Sequence, residues 1–194
     1  MNPKYQKVEN LVRSTYLMAD PGVVKLLCAI IISHRLPSPP AWIFLVGPPS
    51  SGKTILLEAL ADIANLHPLS SLTPNTFVSG MKKHDKETSL LHIIKSGILS
   101  FKDFTTIISL NQDERREIIS QLREIYDGAY NKRYGNGEVV HWEGKVTLIA
   151  GVTEAIYAVR DLFATMGERN LMYSLILPGR YEVAYRSLGD EDNN

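Results

Sequence analysis

The residues A-W-I-F-L-V at 41–46 form an unbroken apolar run with no polar alternation. A strand of that composition is covered on both faces and belongs inside a parallel sheet. Ahead of it, Asp20 is a cap candidate and Pro21 takes the first position of a helix expected over 21–35, which P-S-P-P at 37–40 ends. A second helix is expected over 53–64, stopping before Pro68. Residues 69–86 read as a polar connection with a short strand candidate, L-S-S-L at 69–72, and a basic loop, K-K-H-D-K at 82–86; a helix over 87–96 follows. I-L-S-F at 98–101 is the next strand. Asn111 with Glu114 makes a capping box for a helix that runs to Tyr126 and gathers Ile118, Ile119, Leu122 and Ile125 on one side. Two more strands come from K-V-T-L-I-A-G at 145–151 and L-M-Y-S-L-I-L at 171–177. The order β-α-β-α-β-α-β-α-β, with a polar insertion at 128–144, predicts an α/β fold around a parallel sheet.

At 194 residues the chain fits one domain with a core of its own. Its 21 Lys and Arg balance 21 Asp and Glu, so no whole-chain field selects a nucleic-acid partner. Cys28 is the single cysteine, which excludes an intrachain disulfide framework. The apolar runs at 26–32 and 41–46 are too short to span a bilayer, and the first ten residues lack a signal-peptide core. The expectation is a cytoplasmic protein with no membrane partner.

Candidate chemistry begins directly after the first strand. Gly47, Pro48, Pro49, Ser50, Ser51, Gly52, Lys53 and Thr54 fit G-x-x-x-x-G-K-T, with Ile55 next, between a buried strand and an amphipathic helix. In that setting backbone N–H groups and the helix start cradle the phosphates of ATP. Lys53 reaches the β and γ phosphates, and Thr54 ligates Mg2+. The loop alone does not separate a small-molecule kinase from a motor or switch ATPase; the residues further on favour the second.

Aligned with a hydrophobic strand that ends in two acids, the 98–103 segment puts Lys102 in the place of the metal-associated aspartate and Asp103 in that of the water-activating acid. A one-residue slip or bulge would instead put Asp103 at the metal. Both readings make Asp103 the essential carboxylate; its structural alternative is to cap the Thr105–Thr106 segment. Thr153, after the 145–151 strand, either orients the attacking water and monitors the γ phosphate or caps the helix starting near Glu154. Arg169 precedes the last strand, where it either caps a sheet edge or stabilises transferring phosphate charge in its own or a neighbouring chain, with Glu168 to orient it.

Taken together, these segments over about 20–188 resemble AAA+ ATPases, especially small ATP-binding proteins of phages, prophages and other mobile elements. The resemblance implies a three-layer P-loop NTPase core, with residues 47–54 as Walker A, Asp103 as the Walker B acid, Thr153 as sensor 1 and Arg169 as the arginine finger. It also implies Mg-dependent hydrolysis of ATP in a homo-oligomer, a hexamer being the candidate size. Residues 1–19 form a leader, 189–194 an acidic tail, and no length remains for a complete C-terminal helical lid.

The insertion 128–144 centres on Y-G-N-G and is expected to be a β-hairpin supported by Tyr130, Tyr134, Val139 and Trp142. Its position is similar to that of DNA-tracking hairpins in replicative AAA+ helicases, which makes Lys132, Arg133, Tyr134 and His141 candidate DNA contacts; the alternative is a hairpin that packs over the sheet. The function expected is therefore an ATP-hydrolysing helicase or loader acting on DNA with other replication or mobile-element proteins. The alternative is a protein remodeller or assembly switch that touches no DNA.

Overall fold

The computed structural model describes residues 22–78, 90–135, 137, 139–159 and 169–177, with 6, 7 and 10. Helix α1 (Gly22–Ser33) leads into β1 (Trp42–Val46), whose five residues are all buried, as an uninterrupted apolar strand requires. Then follow α2 (Lys53–Glu58), β2 (Leu66–Leu69), α3 (Leu90–Ile93), β3 (Ser96–Phe101), α4 (Thr105–Ile108) and α5 (Gln112–Tyr126). The hairpin strands β4 (Ala129–Arg133) and β5 (Val139–Glu143), the strand β6 (Lys145–Val152), a 3-10 helix (Glu154–Val159) and β7 (Asn170–Ser174) complete the order.

Five strands form one sheet in the order β2-β3-β6-β1-β7, and every pairing in it is parallel. Strand alternation sorts the core into two layers. Trp42, Phe44, Leu99, Phe101, Leu148 and Ala150 face α5 through Ile118, Leu122 and Ile125. Ile43, Leu45, Ile98 and Ile149 face α1 and α2 through Val23, Leu27, Ile30 and Leu57. The three-layer α/β expectation is met.

Helix α5 starts and stops where its sequence says. The Asn111 side chain accepts a hydrogen bond of 3.0 Å from the Glu114 N–H, and the four apolar residues expected on its inner side are buried. The hairpin is also present, with Asn131 opposite His141 and Tyr130 opposite Trp142.

Several boundaries differ. The helix expected over 87–96 is described only as α3 (Leu90–Ile93), because Ser96 is already in β3 and paired with Lys145; the helix expected to reach residue 35 ends at Ser33, and the one expected from Glu154 is 3-10. Helix α2 ends at Glu58 rather than near residue 64, because the following turns tighten to i→i−3 bonds from Leu60, Ala61 and Ile63 and finish at Asn65 with φ 63°. Strand β2 occupies Leu66–Leu69 and not 69–72; Pro68 is accommodated because β2 is an edge strand, where a missing N–H costs no ladder bond. The last strand ends at Ser174 instead of 177. The basic loop 82–86, Glu168, the cap candidate Asp20 with Pro21, the leader apart from residues 6, 7 and 10, and the acidic tail lie outside the described residues.

Candidate nucleotide site

In an open parallel sheet, ligands bind beyond the carboxyl ends of the strands where the strand order reverses. Here that point is β1, flanked by β6 and β7 although it precedes both in the chain. The 47–52 loop leaves β1 at this end, with the Gly47 N–H bonded to the Val152 carbonyl at 3.1 Å. Ser50 and Gly52 both take left-handed backbone, φ 61° and 83°. Successive N–H groups in such a turn converge on an anion-binding hollow. Nothing lies within 4 Å of a Cβ added to Gly52, so its glycine is required by φ alone.

Lys53 is buried at the first turn of α2, and its Nζ donates to the Gly47 and Pro48 carbonyls at 2.8 and 2.7 Å and to Ser51 Oγ at 3.1 Å. Burial holds its pKa below the usual lysine value, opposed by the nearby Asp103 carboxylate. An ammonium bound only by its own loop's neutral oxygens is poised for anionic ones, which phosphate oxygens would supply.

The end of β3 is fixed by residues that sequence reasoning passed over. Phe104 is fully buried, edge-on to Phe44 at 4.9 Å and to Phe101 at 5.7 Å, and its N–H donates to the Gly151 carbonyl at 2.7 Å. A Cβ at Gly151 would stand 2.7 Å from the Lys102 carbonyl and 3.4 Å from Lys53 Cβ. Glycine there lets β3, β6 and α2 converge. Phe104 and Gly151 give no signal in the sequence beyond an aromatic and a glycine at strand ends.

This packing brings Asp103, Thr153 and the 47–54 loop to one end of the sheet. Asp103 Oδ1 accepts from the Thr105 N–H at 3.0 Å, so the capping alternative is realised in this chain. Thr105 Oγ1 in turn accepts from the Thr153 N–H at 3.1 Å and donates to Thr153 Oγ1 at 3.3 Å. Lys102 Nζ lies 2.6 Å from Glu58 Oε1 on α2. The β3–β6 register runs unbroken from Ser96 to Phe101 and then slips: the Phe104 N–H bonds the Gly151 carbonyl, one residue short of the Val152 carbonyl the same register would give it, so an extra residue is taken up over Lys102 and Asp103, the geometry of the bulge alternative.

Arg169 is not brought to this end. It precedes Asn170, which pairs with Trp42 at the amino end of β1. There its guanidinium grips Asp127 through Nε at 3.1 Å and Nη2 at 3.0 Å and lies over the Tyr126 ring at 5.5 Å. Asp127 is the acid that orients Arg169 among the described residues; Glu168 lies outside them.

The hairpin divides the four DNA candidates. Lys132 bonds Glu117 on α5 at 3.0 Å and the Tyr134 hydroxyl donates to the Val78 carbonyl at 3.1 Å, so both turn towards the protein, as do the buried Tyr130 and Trp142. Arg133 and His141 stand on the exposed side, where His141 bonds Asn131.

For a metal, the available donors are hard oxygens: the Thr54 hydroxyl, which is exposed at the start of α2, and nearby carboxylates. Among the described residues no group of three or more His, Cys, Asp or Glu could hold a metal by itself. That fits Mg2+, which takes one or two protein oxygens and completes its shell with water and phosphate. Among the same residues no helix is long and apolar enough to cross a membrane.

No curated protein matches the chain significantly. The sequence pattern of the ATPase family associated with various cellular activities (AAA) matches residues 43–168, from the second residue of β1 to the approach to β7. That span covers well over half of the chain and holds the phosphate loop, Asp103 and Thr153, so the chain belongs to the AAA ATPase family.

Proposed function

We propose that the chain is an ATP-driven assembly switch, hydrolysing Mg-ATP at the 47–54 loop only when a neighbouring copy completes the site. The observation that carries this reading is the separation of Arg169 from its own loop. Arg169 flanks Ala41, six residues before Gly47, and about 20 Å of strand lies between them at roughly 3.3 Å per residue. A guanidinium so placed serves no phosphate in its own chain. It is held at the surface with its fork already formed on Asp127, and a second copy could draw it to a γ phosphate.

In this reading Lys53 and the loop N–H groups hold the β and γ phosphates, and Thr54 and a carboxylate hold Mg2+, which would neutralise charge on those oxygens. Asp103 takes the proton of the attacking water, whose oxygen bonds the γ phosphorus as the bridging bond to the β phosphate breaks, giving ADP and phosphate. Thr153, tied to Thr105, lines up that water.

A second reading, DNA-directed work as a helicase or loader in mobile-element replication, is favoured by Arg133 and His141 on the outer side of the hairpin. It is weakened by the engagement of Lys132 and Tyr134 with the protein.

The test is turnover per chain across a concentration series. Turnover should rise as copies associate, and Arg169→Ala should stay flat while binding ATP. Constant turnover per chain from monomer to oligomer would overturn the proposal. DNA binding that weakens steeply with salt and depends on Arg133 would favour the second reading.

A further inference from the structure

We infer that Thr105 is a positioning residue for the γ phosphate: its hydroxyl fixes Thr153 as a hydrogen-bond donor to that phosphate, while its N–H fixes the Asp103 carboxylate. This deepens the ATP reading and rests on it. Thr105, Thr106 and Ser109 put three hydroxyls into the segment after β3. Thr106 Oγ1 donates to the Asp103 carbonyl and Ser109 Oγ to the Thr105 carbonyl, each at 2.9 Å, and both bonds stay within the turn. The Thr105 hydroxyl instead reaches the end of β6, 48 positions along the chain.

That strand end is held residue by residue. The Phe104 N–H donates to the Gly151 carbonyl at 2.7 Å, and the Gly47 N–H at the start of the phosphate loop donates to the Val152 carbonyl at 3.1 Å. Thr153 comes directly after the residue fastened to the loop, and its own N–H donates to Thr105 Oγ1 at 3.1 Å. The direction of the hydroxyl protons follows, since a hydroxyl has one proton to give and two lone pairs to accept with. Thr105 Oγ1 accepts from the Thr153 N–H and donates to Thr153 Oγ1 at 3.3 Å, which leaves the Thr153 proton for another acceptor. The oxygens of an ionised γ phosphate are strong acceptors, and both threonines are only half-buried, so a ligand can meet that hydroxyl. On its other side Thr105 holds Asp103, whose Oδ1 accepts from the Thr105 N–H at 3.0 Å. One residue thus ties the acid at the end of β3 to the hydroxyl at the end of β6.

The experiment compares the binding of Mg-ADP and of a nonhydrolysable Mg-ATP analogue to the full chain, to Thr105→Val, Thr105→Ser and Thr153→Val, and to the double variant Thr105→Val with Thr153→Val. Thr105→Val removes the hydroxyl at nearly constant shape. It should weaken the analogue about tenfold, as loss of a hydrogen bond to a charged group does, with ADP affinity unchanged. Thr105→Ser should keep the preference for the analogue. Thr153→Val should lose it to the same extent, and the double variant should lose no more than either single one, because Thr105 acts through Thr153. Thr105→Ala, which only deletes atoms, repeats the test if the valine variant does not fold. An unchanged preference in Thr105→Val or Thr153→Val would overturn the inference, and so would a Thr105→Ser variant no better than Thr105→Val. Equal losses for both nucleotides would reduce Thr105 to a structural tie, and losses that add in the double variant would show that it acts apart from Thr153; either overturns the inference. If the unaltered chain binds ADP and the analogue equally, this inference fails while the ATP reading stands. If it binds neither, both fail.

Discussion

Gly151→Ala is the smallest change that tests how the site is held together. The added Cβ would stand 2.7 Å from the Lys102 carbonyl, a backbone atom that cannot swing away, and 3.4 and 3.5 Å from Lys53 Cβ and Leu57 Cδ1. Relief requires the end of β3 to move off β6, which strains the Phe104 N–H bond to the Gly151 carbonyl and the aromatic cluster behind Asp103. Overpacking one methyl in a close-packed interior costs about 1–3 kcal/mol. For a chain of this size each kcal/mol lowers Tm by roughly 2–4 °C, so a fall of about 2–12 °C is expected. Nucleotide affinity should fall as well, because Lys53 borders the same methyl. Thermal unfolding with and without Mg-ATP measures both. A variant with unchanged Tm and unchanged nucleotide stabilisation would refute the convergence of β3, β6 and α2 as the device that positions the site.

Other substitutions separate chemistry from architecture. Asp103→Asn keeps an oxygen that can cap the Thr105 N–H, so the fold and ATP affinity should persist while turnover drops about 10²–10⁴-fold; near-normal turnover would reduce Asp103 to a cap. Asn111→Ala should destabilise the chain by about 1 kcal/mol in denaturant titrations, leaving nucleotide binding unaltered. His34 bridges the Thr147 and Ser96 hydroxyls at 3.0 and 3.1 Å, and burial, then Lys145, hold its pKa below 6.5. The unfolded chain therefore takes up the proton first. Stability from this group should be fully present above about pH 6.5 and be lost as pH falls through the lower folded value, and His34→Gln should flatten that dependence in denaturation measured across pH.

Much of this architecture is written in short-range patterns. The 41–46 run, the G-x-x-x-x-G-K-T loop and the Asn111–Glu114 cap each carry their own physical cause, and each forms as expected. What escapes the sequence depends on partners distant along the chain. Glu58 meets Lys102 across 44 positions and Thr105 meets Thr153 across 48, and nothing local marks either pair. Pro68 misleads for the same reason: whether a proline ends a segment or sits in a strand depends on whether that strand is at an edge, which only the sheet order decides. The bonds of Lys132 to Glu117 on α5 and of Tyr134 to the Val78 carbonyl are likewise long-range, and the hairpin sequence marks neither.

Subunit mixing tests the assembly switch most directly. Lys53→Ala keeps Arg169 but cannot hold phosphate, and Arg169→Ala keeps the loop but lacks the guanidinium; each alone should be inactive. Native mass spectrometry would establish that both fold and co-assemble. The account predicts that the mixture regains ATP turnover, because some interfaces pair an intact loop with an intact Arg169 from the next copy. Mixed assemblies that form yet stay inactive would contradict it, leaving Arg169 as the clamp that fastens the start of β7 to Asp127 and Tyr126.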